Sequence, residues 1–387
     1  MDSGDGAEMP VGGDGGAQLA GPDGTEGRAA QAPSGFAAPE PAARSASPWT
    51  ALLDRRAVLT EIWDHLPIWF FYFEAVGLLH FLAANVPRSE LGRVGLPIGP
   101  FAWTAAFPLF WVLGYYALRV RGSARLAAYG AKRYLVLVAL AAAPACIWLL
   151  YAVAPFLRVE LEMRQLTRLF EAMQLAWIAV FMVHVAAKRG APGFATFFGV
   201  AWLYGLVLEN GGILMGYFFE PGYRFYLGGL PAPFATMMGW CLAIYACTEI
   251  AEELRSHVFF GETTLGAALL TTALALSLDL QLDPLASLSG VFWRWNDALP
   301  RWFLSVPFVN YLAWFCAFLP FSYAWFSISD RTELGSWTKV RWLLVRIPNV
   351  CVVAALLFFG ISALVERGFS GPTYRILGET FEKIRPY

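Results

Sequence analysis

Residues 264–284 read TLGAALLTTALALSLDLQLDP. The first fifteen positions carry no charge, and the run closes on two acids, Asp279 and Asp283, with Pro284 behind them. A hydrocarbon core of about 30 Å needs about 20 apolar helical residues to cross it. The stretch therefore predicts a membrane span over 264–282. Lipid offers the backbone no hydrogen-bond partner, so the span must be a helix. The i, i+4 spacing puts both carboxyls on one helix face. Proline disfavours the α conformation in the residue before it, which predicts that the helix stops at Asp283.

Eight further runs of this kind lie near 66–84, 100–118, 134–155, 172–187, 195–219, 234–250, 303–327 and 347–365. Allowing for a re-entrant segment, they predict an all-α, polytopic integral membrane bundle of seven to nine transmembrane helices. The composition agrees: 58% of residues are hydrophobic and 15% charged, against about 45–50% and about 25% in soluble domains. Residues 60–367 form the expected membrane domain, followed by a short polar C-terminal tail over 368–387. Residues 1–49 are rich in Gly, Ala, Pro, Asp and Glu and hold two aromatics, Phe36 and Trp49. Such a segment buries too little apolar surface to offset its ordering entropy, so it is expected to be a disordered acidic tail. It has no basic n-region or apolar h-region of a signal peptide. With the N-terminus inside, the inner connections hold twelve Lys/Arg and the outer ones eight. That bias favours a cytoplasmic N-terminus in a cell inner membrane.

A net charge of −1 gives no footprint for a nucleic-acid partner. The five cysteines sit in or beside apolar runs without metal-ligand spacing, which suits small core residues. Four scattered histidines do not make a metal box. No metal or cofactor is expected from these residues.

Ionisable groups inside a span are costly to keep, so each is a candidate for function. Glu74 lies in the first run, Glu209 in the fifth, Glu249 at the end of the sixth, and the two aspartates close the seventh. The direction of the runs puts Glu209, Asp279, Asp283 and Asn310 at one face of the membrane, with Glu249 at the other. Loops carrying Trp293, Trp295, Arg224 and Arg294 share the first face. Gly211, Gly212 and Gly216 beside Glu209 permit either close helix packing or room for a bulky ligand. Two carboxyls in a poorly hydrated site repel, so one is expected to keep its proton at neutral pH. Two other readings of the aspartates stay open: pairing with Arg294 or Arg224, and holding Mg²⁺ for a diphosphate.

The order Glu209-x2-Gly212-x3-Gly216, Gly229-Leu-Pro231, Trp240, Asp279-Leu-x-Leu-Asp283-Pro284, Gly290-x2-Trp293-x-Trp295 and Val306-Pro307-x2-Asn310-Tyr-Leu-x-Trp314 resembles the CruF-type carotenoid biosynthesis proteins. These are integral-membrane carotenoid hydratases that include bisanhydrobacterioruberin hydratase. The resemblance covers about residues 200–320. Ser305 and Ala313 stand where that family usually carries Gly. The resemblance implies a hydro-lyase that adds water to the terminal 1,2 double bond of an acyclic carotenoid end group, without a redox cofactor. The implied partners are the lipid bilayer, an apolar polyene and water. One of Asp279 and Asp283 would give the proton, Glu209 would accept one from water, and Asn310 would orient that water. Trp293, Trp295, Trp314 and Tyr217 would supply aromatic faces for a tertiary cation, with Gly212 and Gly216 leaving space. Two rival readings of the same residues are an Asp-rich membrane prenyltransferase and a proton-coupled transporter of an apolar solute.

Overall fold

The computed structural model describes residues 55–72, 85, 106–107, 110–118, 159, 161–220, 222–289 and 292–384. In chain order the elements are α1 (Arg55–Asp64), α2 (Leu66–Tyr72) and α3 (Met163–Phe194), then a π-helical turn (Ala195–Val200) that continues into α4 (Ala201–Leu214). They continue with β1 (Phe218–Phe219), α5 (Phe234–Leu254), α6 (Thr264–Ser289), β2 (Arg294–Trp295), α7 (Phe308–Ser329), α8 (Ser336–Val365) and α9 (Pro372–Ile384).

Five stretches are long and apolar enough to cross a membrane: Met163–Leu214, Phe234–His257, Thr264–Ala286, Phe308–Ser329 and Ser336–Val365. The first breaks at Gly190, whose backbone (φ 64°, ψ −169°) only glycine adopts without strain. Phe181 before the break and Phe197 after it both meet the Tyr245 ring, at 5.8 and 5.0 Å. The stretch is therefore a hairpin, and its arms contain the fourth and fifth runs seen in the sequence. The run 134–155, most of 66–84 and half of 100–118 lie outside the described residues, as do the acidic tail 1–49, Glu74 and Cys146. The described residues thus hold five candidate membrane-crossing stretches, the first of them folded back on itself, and the expected seven to nine spans are not all among them.

Sequence punctuation sets several helix ends. Pro233 and Pro307, extended at ψ 147° and 144°, stand immediately before α5 and α7. Proline lacks the N–H that a helix start leaves unpaired. At the end of α4 the N–H of Tyr217 bonds the carbonyl of Gly212 (3.1 Å) and that of Gly216 bonds Ile213 (2.9 Å). This paired return needs a left-handed residue, and Gly216 supplies it at φ 79°.

One expectation is corrected. Helix α6 does not stop at Asp283 but runs through Pro284 to Ser289. A proline inside a helix forfeits one N–H bond and crowds the preceding turn, which a packed membrane bundle tolerates when neighbours support the segment. The aspartates therefore sit within the bundle, not at a helix exit. The polar tail over 368–387 contains α9, whose Ile376 is buried and whose Thr380 hydroxyl donates to the Met215 carbonyl at 3.2 Å.

The core sits where α3, α4, α5, α6 and α7 meet, around Phe181, Phe197, Tyr204, Tyr245, Phe318 and Phe321. Helices in lipid gain little from hiding apolar surface from one another, so close packing has to hold them. Gly205 shows how: a Cβ there would lie 2.7 Å from Trp240 Cβ and 3.0 Å from the Met237 carbonyl. Buried polar groups add specificity, with the Tyr204 hydroxyl donating to Ala317 (2.8 Å) and the Tyr245 hydroxyl bonded to His184 (2.9 Å). At the far end Glu249 meets Lys188 at 2.8 Å and also Arg189. That acid is an ion-paired element of the opposite face, in keeping with its expected depth.

Before α7 the chain turns tightly, and Leu304 and Ser305 take φ 49° and 69°. A left-handed conformation costs a non-glycine residue about 1–2 kcal/mol. Ser305→Gly should therefore raise stability by about 1 kcal/mol, read as a higher melting temperature of the detergent-purified protein. An unchanged or lower melting temperature would show that Ser305 is not strained.

Candidate active site

Helices α4, α5, α6 and α7 enclose a cavity of about 360 Å³ that reaches from α3 to α8. Three carboxyl-and-amide positions from separate helices face it: Glu209 of α4, Asp283 of α6 and Asn310 of α7. Each is at least 92% removed from solvent, with exposures of 8%, 2% and 6%. The rest of the wall is mainly aromatic and aliphatic.

The two aspartates play different parts. Asp283 lines the cavity and Asp279, fully buried, does not. The Asn310 side-chain amide bridges them, donating to Asp279 Oδ1 at 2.9 Å, to Asp279 Oδ2 at 3.0 Å and to Asp283 Oδ2. The carboxyls are themselves within hydrogen-bonding reach of each other. The i, i+4 spacing legible in the sequence produces this contact. Among the described residues no cation pairs with either aspartate; the Arg224 guanidinium lies over Phe225, 5.7 Å from the ring centre. Both amide hydrogens of Asn310 are directed at carboxyls. The same amide thereby holds Asp279 and Asp283 together.

Between α4 and α5 the Trp240 indole N–H donates to Glu209 Oε2 at 2.6 Å. Trp240 in turn lies against Trp314 (5.1 Å) and Phe318 (5.9 Å), and Trp314 stacks on Phe318 within 5° of parallel. The indole is thus locked by neighbouring rings before it holds the acid.

Short connections roof the cavity. Strands β1 and β2 pair antiparallel, Phe218 opposite Trp295 and Phe219 opposite Arg294. The Asn296 N–H and side-chain amide bond the carbonyls of Tyr217 and Gly216, each at 2.9 Å. These bonds carry Tyr217, Phe218, Trp293 and Trp295 onto the wall. Gly212 lets the roof close, because a Cβ there would meet Phe218 Cε1 at 2.3 Å. Of the expected substrate-binding residues, Trp293, Trp295, Trp314, Tyr217 and Gly212 line the cavity. Gly216 does not, since its work is the helix-ending turn.

Sequence reasoning passed over three polar residues. Gln174 of α3 lines the cavity. Glu171, one turn earlier, accepts the backbone N–H groups of Arg224 (3.1 and 3.2 Å) and Phe225 (2.9 Å), and so pins the loop after β1. Glu220 follows β1, is 6% exposed, and has its carboxyl beside that of Glu209. Burial, then the neighbouring Glu209, pushes the Glu220 carboxyl well above the ordinary carboxylate range. A glutamate in a connecting loop reads as solvated, and only the fold-back of the chain buries it. The one available signal was its proximity in sequence to Glu209.

The chain matches the family profile described as carotenoid biosynthesis protein over residues 169–374. It belongs to that family, and with its apolar helices it is a membrane protein. No curated protein and no solved structure matches it. The matched region covers α3 to the start of α9, and so contains every residue of the cavity wall named here.

Asn310→Leu keeps the side-chain size but removes the donor shared by two buried carboxyls. Hydrogen bonds to charged groups contribute about 1.5–3 kcal/mol, so stability should fall by about that much, read as a lower melting temperature in detergent. A melting temperature equal to that of the wild type would mean that the amide does not hold the pair.

Proposed function

We propose that this member of the carotenoid biosynthesis family adds water to the terminal 1,2 double bond of an acyclic carotenoid end group, giving a tertiary alcohol. The observation that carries this reading is that two carboxyls from separate helices, Asp283 and Glu209, line one largely apolar cavity. Hydration of an isolated alkene needs a proton delivered to one carbon and a water deprotonated at the other.

Asp283 faces the cavity and gives its proton to C2 of the alkene. The Asp283 carboxylate left behind stays held by the Asn310 N–H. The cation at C1 is tertiary and lies among the faces of Trp293, Trp295 and Trp314, which favour positive charge. Water adds to C1, and its proton passes to Glu209. A chain of cavity water returns that proton to Asp283. The balance is one alkene and one water to one alcohol, with no oxidant or reductant.

The cavity size agrees. About 360 Å³ falls at the small end of the range for ligand pockets, about 300–1,000 Å³. It holds an end group and its nearest units rather than an entire polyene. The remainder follows the small-residue wall of Ala313, Cys316, Ala317, Cys351 and Ala354 between α7 and α8. An aromatic, apolar wall also suits a hydrocarbon better than the polar head of a diphosphate or a hydrophilic transported solute.

Pigments extracted from a host that makes an acyclic carotenoid, with and without this protein, test the proposal by chromatography and mass. The wild type should yield a product heavier by one water, and Asp283→Asn should lower its formation roughly 100-fold or more, the usual worth of a positioned acid. Undiminished product from Asp283→Asn would remove the proton donor from the mechanism.

A further inference from the structure

Glu220 is a buried acid at the edge of the site to which the reaction gives no task. Its two oxygens have different surroundings. Oε2 accepts the Thr236 hydroxyl at 3.0 Å. Oε1 is buried and, among the described residues, receives no hydrogen from any donor. Yet the carboxyl lies within hydrogen-bonding reach of Glu209, another carboxyl. Two carboxylates do not meet in a dry site, and a buried oxygen does not go without a partner at small cost. Both difficulties vanish if Oε1 bears a proton. Glu220 then donates to Glu209 and accepts from Thr236, while Glu209 accepts from Glu220 on one side and from Trp240 on the other.

The groups around Glu220 leave little else to neutralise it. Helix α4 presents Glu209, and helix α3 presents Glu171, already occupied by backbone N–H groups. Its own loop presents Tyr223 and Tyr226, the latter donating its hydroxyl to the Glu220 carbonyl at 3.0 Å. Burial holds both phenols above their ordinary range, so neither supplies charge near neutrality. Helix α5 presents Thr236 and Trp240, which do not titrate, and Asp283 of α6 lines the same cavity as Glu209. No ion pair joins a cation to Glu220 or Glu209 among the described residues.

We infer that Glu220 is a neutral carboxylic acid whose proton is hydrogen-bonded to Glu209, making it the positioning residue that aims Glu209 into the cavity as the acceptor of a proton. The task given to Glu209 rests on the hydration reading; the shared proton does not. Glu220 itself does not line the cavity and touches no substrate.

Two measurements on the purified full-length protein separate these parts. Infrared spectra at neutral pH read the C=O stretch of protonated carboxyl groups with no substrate present. Glu220→Gln should remove one such band. Loss of no band shows an ionised Glu220 and overturns the inference. Conversion of the acyclic carotenoid is then followed against pH. The neutral acid is the working form, so wild-type conversion holds below the raised Glu220 titration and declines as pH rises through it. Glu220→Gln keeps the geometry, because its amide donates to Glu209 and its carbonyl accepts from Thr236. That variant should retain conversion and lose the alkaline decline. Glu220→Leu, checked for intact folding by its melting temperature, should convert roughly tenfold less or worse, as expected when a bond to a charged group is lost. Glu220→Gln as inactive as Glu220→Leu, or with the pH profile of the wild type, overturns the inference. A band lost in Glu220→Gln from a wild type that hydrates nothing upholds the shared proton and refutes only the chemistry assigned to Glu209.

Discussion

Everything at this site depends on how acids are kept in an apolar bundle where, among the described residues, no cation pairs with them. A lone carboxylate in such surroundings is prohibitively costly, and proteins neutralise or pair it. This chain places acids next to acids. Asp279 meets Asp283 on one helix, and Glu209 meets Glu220 across a turn. Each pair also receives N–H donors from a neighbouring helix, Asn310 for the first and Trp240 for the second. The contrast with the opposite face is direct. There Glu249 is buried too, but Lys188 and Arg189 meet it. The chain therefore can build ion pairs, and among the described residues none is built at the cavity.

Such pairs work only if the backbone fixes them, and short-range devices do this. Gly216 turns the chain back on itself at the end of α4, which starts β1 and carries Glu220 under the helix it has just left. Pairing of β1 with β2 ties the connection after α4 to the one after α6, so the roof over Glu209 is also the roof over Asp283. Helix α9 then braces the turn, through Thr380 on Met215 and Tyr217 on the Thr373 carbonyl (3.4 Å). The strain at Ser305 belongs to the same set of constraints. It sits in the turn that delivers Asn310, a helical turn later, to the aspartates.

The sequence made much of this legible, for identifiable reasons. Uncharged runs of span length announce membrane helices because lipid imposes a single solution on the backbone. An i, i+4 acid pair in such a run announces a shared face, and common depth placed Glu209 and Asn310 near it. What it left obscure depends on contacts distant in the chain. Nothing local in LDLQLDP tells that Asp283 faces the cavity while Asp279 lies behind it, since both belong to one face and only the position of α7 divides them. Pro284 read as a terminator because isolated-helix rules ignore support from neighbouring helices. Glu220 read as a loop residue, and Gly216 as a space-maker, because the return of the chain after α4 is a tertiary fact.

The two acid pairs repeat one arrangement. A carboxyl that faces the cavity is backed by a second carboxyl and an N–H: Asp283 by Asp279 and Asn310, Glu209 by Glu220 and Trp240. The proposed hydration makes sense of the repetition through charge conservation. Proton transfer to the alkene leaves a carboxylate at Asp283 and a cation beside it, so the cavity gains no net charge. Attack of water discharges the cation and moves a proton to Glu209, again without net change. A low-dielectric pocket penalises any step that creates unbalanced charge, and here every step only relocates it. With the proposed donor and acceptor on different helices lining one cavity, the proton has a direction, from Asp283 through the substrate and water to Glu209. A single pair would have to both give and take back the proton itself.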